Sequence, residues 1–256
     1  MHLKENHMEV VTSLNPSAVE LAPNALIWQD VIAQAITGEL VAVANYTALA
    51  GICDDPAEVE DALEHAAGEE GHARAFAAEG RKLGFDAPSN IDAKYWKRIR
   101  AAFMRAIEVR DFIACLIIQE VMLESFAVAS YVRVGEVAPG TLGTTFTAIA
   151  ADEEDHIEHA MSILRADRAR DVAAFDAKLH RLHLEVMTTL AEMLARDDKD
   201  GHCELCHGTC VKPMLPDVGL TASELRGASL RHYLKTLDLI GLPGDVTLAW
   251  VAKLPV

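Results

Sequence analysis

The sequence predicts an all-α protein in which long helices enclose one buried core. Hydrophobic residues make up 51% of the 256 residues, which is enough for a sizeable core, and aromatic residues make up only 5%. Alanine is abundant, and this composition favours closely packed helices over the strands of a sandwich or barrel. We expect a polar N-terminal leader, residues 1–24, followed by a single domain, residues 25–256.

Eight helices are predicted from runs of apolar residues and from the residues that bound them. Asp55 and Pro56 provide a capping residue and a first-turn proline for the second helix, and Pro139 with Gly140 separates the fourth helix from the fifth. The third helix is amphipathic, and we expect it to connect the two halves of the bundle. The predicted helices span residues 25–53, 56–84, 91–108, 111–134, 142–166, 167–196, 221–239 and 245–252.

A set of potential metal ligands occurs twice in the chain. Each copy has a lone glutamate that is followed by an E-x-x-H motif, 30 residues later in the first copy and 29 residues later in the second. A tyrosine follows each lone glutamate after seven residues, Tyr46 in the first copy and Tyr131 in the second. The two sets are Glu39, Glu69 and His72, and Glu124, Glu153 and His156.

The spacing of these residues suits a centre of two metal ions. Residues three apart lie on one face of a helix, so Glu69 and His72 can hold the same ion. The glutamate of each E-x-x-H motif can bridge two ions, while Glu39 and Glu124 serve as terminal ligands. Mixed nitrogen and oxygen ligands with open coordination positions favour two iron ions, with manganese as the alternative, and allow O2 to bind as a co-substrate.

The alternative to a metal centre is a purely structural bundle with charged residues on solvated faces. E-x-x-H alone is a weak motif, and a third copy, Glu204 to His207, lies in a cysteine-rich segment where we take it for a coincidence. Glu39 and Glu124, however, lie in strongly apolar segments. A buried carboxylate needs a compensating partner, and this favours the metal centre.

Several segments around these motifs resemble the aldehyde-deformylating oxygenases, or long-chain aldehyde decarbonylases. They are GELVAVANY, EEGHARAFAAEGRKLG, CLIIQEVMLESFAVASY and DEEDH, and the similarity covers about residues 25–166. The resemblance implies a ferritin-like helical bundle with additional C-terminal helices and a non-haem di-iron centre. It also implies O2-dependent conversion of a long-chain aldehyde to an alkane one carbon shorter plus formate, with electrons from a donor such as ferredoxin.

Carried over residue by residue, the resemblance includes all six predicted metal ligands. Phe76 matches a residue that lines the family's apolar substrate channel. Four further residues match polar positions near the family's metal centre, and we expect them to take part in catalysis: Tyr46, Tyr131, Gln119 and Asp152.

Three residues depart from the family pattern. Glu120 stands where the family has a small apolar residue, and Glu158 and His159 replace a neutral amide and a tyrosine. Glu120 and Glu158 belong either to a solvated or salt-bridged face or to the metal centre, and His159 can reach the same end of the centre as His156. Added charge suits a polar substrate, so the alternatives are a related di-iron hydroxylase or N-oxygenase of a specialised metabolite, and a ferritin-like iron- or peroxide-handling protein.

A cysteine-rich loop at residues 198–214 has no counterpart in the family pattern. Its ligand-type residues include Cys203, Cys206, His207 and Cys210. The alternatives are a zinc site, plain reduced thiols, and a redox pair of Cys203 and Cys206. A c-type haem attachment site is disfavoured because it normally requires an exported protein.

The net charge of −16 disfavours polyanionic partners such as nucleic acid or an anionic membrane. The N-terminus lacks the basic start and apolar run of a signal peptide, so we expect a cytoplasmic protein. The most apolar segment, residues 112–134, contains Glu120 and Glu124, which argues against a membrane span. The expected partners are a small apolar or amphipathic organic substrate, such as a long-chain aldehyde, and an electron donor.

Overall fold

The computed structural model describes residues 24–195 and 210–255, and within these ranges every regular element is a helix. Five elements form the first half of the bundle: α1 (Ala25–Ala50), α2 (Pro56–Lys82), α3 (Lys94–Glu108), α4 (Phe112–Leu116) and a π-helical segment (Ile117–Leu123). The chain continues with α5 (Glu124–Gly135), α6 (Thr141–Arg170), α7 (Val172–Leu182), a second π-helical segment (His183–Met187) and α8 (Thr188–Met193). A 3-10 helix (Lys212–Val218), α9 (Ala222–Ile240) and α10 (Gly244–Val251) follow.

Side-chain caps set several of the helix boundaries. The carboxylate of Asp55 accepts a hydrogen bond from the backbone of Ala57 at 3.0 Å, and Pro56 occupies the first turn of α2, as predicted. The predicted division of residues 142–196 at 166 is wrong, because α6 continues to Arg170. Asp171 then adopts an extended conformation and caps α7 through the backbone N–H of Ala174 at 2.9 Å.

Two antiparallel pairs form the centre of the bundle. The first pair is α1 with α2, and the second is α5 with α6. The amphipathic α3 packs on α1 and buries Trp96, Ile99 and Phe103, as its sequence pattern predicts. The later helix α9 covers α5, and α10 packs on α9. The prediction of an all-α bundle with additional C-terminal helices is therefore confirmed.

The helix Phe112–Gly135 is continuous but not uniform, because its π-helical segment interrupts the α-helical hydrogen bonding. All seven side chains of Ile117–Leu123 are buried. π-Helical segments inside α-helices are frequent at functional sites. This one lies immediately before Glu124, so it sets the direction in which that side chain enters the bundle.

Two helices, Ala25–Ala50 and Phe112–Gly135, are long and apolar enough to cross a membrane by length and composition. In the apolar windows of these helices, 56% and 78% of the residues are buried inside the bundle. Core helices of a bundle meet the same criterion, and both helices carry buried glutamates that face their neighbours. Their apolar character is therefore accounted for by packing against the rest of the bundle.

Candidate metal centre

The six residues predicted as metal ligands converge between the two helix pairs. Glu39 lies in the middle of α1, and Glu124 is the first residue of α5. The two E-x-x-H motifs lie in α2 and α6 and project their glutamate and histidine from one face of each helix. All six side chains are buried: Glu39, Glu69, His72, Glu124, Glu153 and His156.

The six side chains form two overlapping groups whose ligand atoms lie within 4.8 Å of one another. Glu69 and Glu153 belong to both groups, which is the arrangement predicted for bridging carboxylates. One group adds Glu39 and His72, and the other adds Glu124 and His156. The geometry therefore fits two neighbouring ions with two shared ligands, although the assignment of the six residues as ligands stays a prediction.

Unsatisfied atoms in the centre test whether a metal fits. Among the described residues, four buried ligand atoms have no hydrogen-bond partner: Oε1 of Glu69, Nδ1 of His72, Oε2 of Glu153 and Nδ1 of His156. Buried polar atoms without partners are costly, and here they point at one another across the centre. A pair of divalent cations would satisfy all four, and this carboxylate and imidazole set suits iron or manganese.

The carboxylates perturb one another strongly. Burial and the nearby Glu153 raise the pKa of Glu69 and of Glu124 well above the ordinary carboxyl value. Burial also acts to raise the pKa of Glu153, but the attraction of the closely approaching His156 and His72 imidazoles outweighs it and lowers this pKa to about 2. Without metal, protons on neighbouring groups must therefore offset the negative charge of the centre, and cations can take their place.

The two tyrosines contact the centre in a reciprocal way. The hydroxyl of Tyr131 donates to Oε1 of Glu39, and the hydroxyl of Tyr46 donates to Oε1 of Glu124 at 3.3 Å. Each tyrosine thus binds the lone glutamate of the other half of the chain. Burial raises the pKa of both phenols well above the ordinary value, so both hydroxyls stay protonated and act as donors.

Gln119 and Asp152 also lie beside the predicted ligands. Nε2 of Gln119 donates to Oε1 of Glu124 at 2.8 Å, and Nδ2 of Asn45 donates to Oε1 of Gln119 at 2.8 Å. Oδ2 of Asp152 lies 3.3 Å from Nε2 of His72, on the ring edge opposite the centre. A carboxylate in this position orients a ligating imidazole. Sequence reasoning missed Asn45, whose only signal is a polar residue within an apolar helix.

The three departures from the family pattern have different surroundings. Glu120 is 1% exposed, and its Oε2 lies 3.2 Å from Nδ1 of His159. Glu120 is therefore paired with a histidine and does not lie on a solvated face. Glu158 is exposed.

The structure also places His65, which sequence reasoning missed, beside the centre. The centroid of its ring lies 4.2 Å from that of the His156 ring.

An apolar cavity of about 170 Å³ opens onto one side of the centre. Four glutamates of the centre are among the residues that line it: Glu39, Glu69, Glu124 and Glu153. Its walls include Leu123, Phe126, Val134 and Leu225. Phe76 is fully buried and packs against Tyr131 and Phe146, which line the cavity, but Phe76 is not among the described lining residues, so its role at a substrate channel stays a prediction.

The cysteine-rich loop is described only at its end. Cys203, Cys206 and His207 lie outside the described residues, as does the leader up to residue 23. Cys210 is a free, half-buried cysteine that lines the cavity beside Val211. Zinc binding or a redox role for this loop stays a prediction.

Comparisons with known proteins agree with this geometry. The fold matches a solved structure of protein 19 from Synechococcus, which has aldehyde deformylating oxidase activity, with a TM-score of 0.76 and 20% sequence identity. The match covers 91% of this chain and 98% of that one, and at this identity it shows the fold. The family model for long-chain fatty aldehyde decarbonylases matches residues 27–205, most of the chain. The chain therefore belongs to the long-chain fatty aldehyde decarbonylase family.

Proposed function

We propose that the protein is a di-iron oxygenase that uses O2 to convert a long-chain aldehyde to the alkane one carbon shorter plus formate. Family membership supports the reaction type, and one observation supports it in this chain. The apolar cavity is lined by the carboxylates Glu39, Glu69, Glu124 and Glu153, so an alkyl chain bound in it would lie in contact with the centre.

Glu69 and Glu153 would bridge the two irons, with Glu39 and His72 on one ion and Glu124 and His156 on the other. When bound, the iron pair would supply O2 binding and reduction, which protein side chains do not provide. Tyr131 and Tyr46 hold the terminal glutamates by hydrogen bonds, and Gln119 adds a second hydrogen bond to Glu124. We assign these three residues to positioning the ligands.

The walls of the cavity favour an alkyl substrate over a polar one. Among the described residues that line it, aliphatic and aromatic side chains form most of the lining apart from the carboxylates of the centre. Glu120 and His159, the charged departures from the family pattern, are absent from this lining within the described chain. They contact each other on the His156 side of the centre, so their charge does not face the substrate.

The proposal is tested with iron-loaded protein, a C16 or C18 aldehyde, O2 and a reduced ferredoxin system. We expect the C15 or C17 alkane and an equal amount of formate, measured by gas chromatography and formate assay. A hydroxylated product without formate would favour the hydroxylase alternative. Iron retention in a large cage without aldehyde turnover would favour the storage alternative, and the assembly state measured by light scattering distinguishes it.

A further inference from the structure

A second group of metal-ligating side chains lies on the His156 side of the centre. His65 in α2, Glu120 in the first π-helical segment and His159 in α6 each offer a ligand atom, and these atoms lie within 4.8 Å of one another. His159 forms a similar group with Glu58 and Asp61 from the start of α2. None of these five residues belongs to the two groups that form the dinuclear centre.

His159 lies between a buried carboxylate and two carboxylates near the surface. Its Nδ1 is 3.2 Å from Oε2 of Glu120, which is 1% exposed. Its Nε2 is 3.8 Å from Oε2 of Glu58 and 3.7 Å from Oδ2 of Asp61, whose side chains are 27% and 45% exposed. These residues form a continuous series of metal-ligating groups from the surface to the interior.

The buried carboxylate is not satisfied by this pairing. Within the described chain, Oε1 of Glu120 is buried and has no hydrogen-bond partner. A carboxylate oxygen left in this state is destabilising, and histidine satisfies only the other oxygen. A cation held between Glu120 and the two imidazoles would satisfy it.

The charge and the ligand types of the group suit a divalent ion. Glu120, Glu58 and Asp61 supply three carboxylates, and His65 and His159 supply two imidazoles. Two imidazoles with carboxylates are a ligand set for Zn²⁺, Fe²⁺ or Co²⁺.

We propose that His65, Glu120 and His159 form a third divalent-metal site, with Glu58 and Asp61 on its outer side, that loads ferrous ions into the dinuclear centre. The third site adjoins the dinuclear centre, because the ring centroid of its ligand His65 lies 4.2 Å from that of His156. A ferrous ion captured by the outer carboxylates would pass His159 and Glu120 before it reaches His156. The inference rests on the dinuclear centre of the proposed function for its destination, but the third site is detected independently of catalysis.

Cobalt stoichiometry tests the site. The full-length chain carrying Cys203→Ser and Cys206→Ser, so that these thiols bind no metal, is saturated with Co²⁺, passed through a desalting column and analysed by mass spectrometry. We expect three Co²⁺ per chain, and two in variants that add His159→Gln or Glu120→Gln. His232→Gln, which removes a partly buried histidine paired with Glu154 at 3.0 Å outside both sites, is the matched control and should keep three.

The outcomes separate this inference from the proposed function. Equal stoichiometry in the parent chain and in both the His159→Gln and Glu120→Gln variants would overturn the third site. A parent chain that binds one Co²⁺, lost on His159→Gln, would support the third site and overturn the dinuclear centre. For the loading role, we expect the double variant Glu58→Gln, Asp61→Asn, which removes the outer carboxylates, to slow ferrous uptake into the centre about tenfold, because carboxylate-lined approaches raise ion association rates by at least that factor. Unchanged uptake kinetics would overturn that role.

Discussion

Glu153 is the residue on which the two halves of the centre converge. Its Oε1 lies 3.2 Å from Nδ1 of His72 and its Oε2 lies 3.1 Å from Nδ1 of His156. Each carboxylate oxygen of Glu153 therefore faces the histidine of a different ligand group. The two histidines are predicted to bind different irons. A neutral side chain here cannot bridge two cations.

The first prediction is that the Glu153→Gln variant no longer binds the two irons stably. We expect fewer than two irons per chain after desalting, because loss of a bridging carboxylate weakens both positions, and we expect turnover of the aldehyde to fall in proportion. Iron content is measured by mass spectrometry. Glu154→Gln is the control, because Glu154 is the next residue of α6 but pairs with His232 outside the centre. Equal iron content in Glu153→Gln and the parent chain would contradict the bridging role.

The second prediction concerns the hydroxyl that holds Glu39. Tyr131→Phe keeps the ring contacts with Phe76 and Phe146. It removes the hydrogen bond that the Tyr131 hydroxyl donates to the Glu39 carboxylate. Loss of a partner that orients a metal ligand typically weakens metal affinity by about 10- to 100-fold. We expect a weaker iron affinity of this order by competition with a chelator. Full iron content at saturation would show that the site itself is intact, whereas an unchanged affinity would contradict the positioning role.

A residue of the centre can be predicted from the sequence when a charged side chain occurs in an otherwise apolar segment. The carboxylates Glu39 and Glu124 stand out because their segments are apolar, and the repeated spacing connects them with the two E-x-x-H motifs. His65 has no such signal, because it lies in a polar stretch of α2 and only the packing of α2 against α6 brings it to His156. Asn45 is missed for a similar reason, since its partner Gln119 is 74 residues away.

The first π-helical segment explains how two residues five apart both reach the centre. In a regular α-helix, positions five apart differ by about 140° in direction, so Gln119 and Glu124 would not face each other. The wider π-helical turn brings them together, and Gln119 hydrogen-bonds Glu124 at 2.8 Å. Nothing in the residues Ile117–Leu123 distinguishes this segment from an α-helix, so the sequence predicted the helix without its irregular turn.

The third prediction concerns the glycines that flank Glu69 in α2. A Cβ at Gly68 or Gly71 would meet no atom within 4 Å among the described residues, so alanine fits at either position. Glycine inside a helix costs up to about 1 kcal/mol relative to alanine, and we expect each substitution to raise the free energy of unfolding by about that amount. Denaturant unfolding of the iron-loaded protein measures this change.

The same substitution elsewhere in α2 provides the control for this prediction. A Cβ at Gly80 would lie 3.3 Å from Phe85, so Gly80→Ala should give little or no gain in stability. If the glycines also let the turn around Glu69 move during the reaction, the double variant Gly68→Ala, Gly71→Ala should consume O2 more slowly. Unaltered oxygen consumption would contradict that second effect while leaving the stability gain to be judged separately.

The second π-helical segment buries a histidine, and the fourth prediction concerns its titration. His183 is fully buried and hydrogen-bonds Tyr233 at 3.2 Å, and burial lowers its pKa to about 4. In the unfolded chain a histidine titrates near pH 6.5. The neutral imidazole therefore stabilises the fold above about pH 6.5, and this contribution is lost as the pH falls towards 4.

Comparison of the parent chain with His183→Gln isolates this contribution. Between about pH 6.5 and pH 4 the free energy of unfolding of the parent should fall by up to about 3 kcal/mol more than that of the variant. Urea unfolding at several pH values measures the difference. Parallel pH profiles of the parent and His183→Gln would contradict the prediction.

For the whole molecule, the order of the helices and the grouping of the six candidate ligand residues could be predicted, but the cavity could not. The apolar runs and the residues that bound them predict each long helix to within a few residues, because these signals are local. The cavity arises where α1, α5 and the segment around Val211 meet, and no local pattern connects residues so distant in sequence.

The buried carboxylates also connect metal content with the stability of the whole bundle. The chain has a net charge of −16, and four of its glutamates lie together in the centre. Like charges in the interior repel one another. Protons on Glu69 and Glu124, favoured by their raised pKa values, relieve part of this repulsion in metal-free protein. Cations that bind the folded centre and not the unfolded chain must therefore stabilise the fold.

The fifth prediction is that iron raises the melting temperature through this centre. A ligand at a hundred times its dissociation constant stabilises the folded state by about 2.7 kcal/mol per site, which corresponds to a rise of roughly 5–10 °C for a chain of this size. Calorimetry of chelator-treated protein with and without Fe²⁺ under argon measures the shift. Glu153→Gln should lose most of the shift and Glu154→Gln should keep it. Equal shifts in both variants would mean that the stabilising ions bind outside the centre.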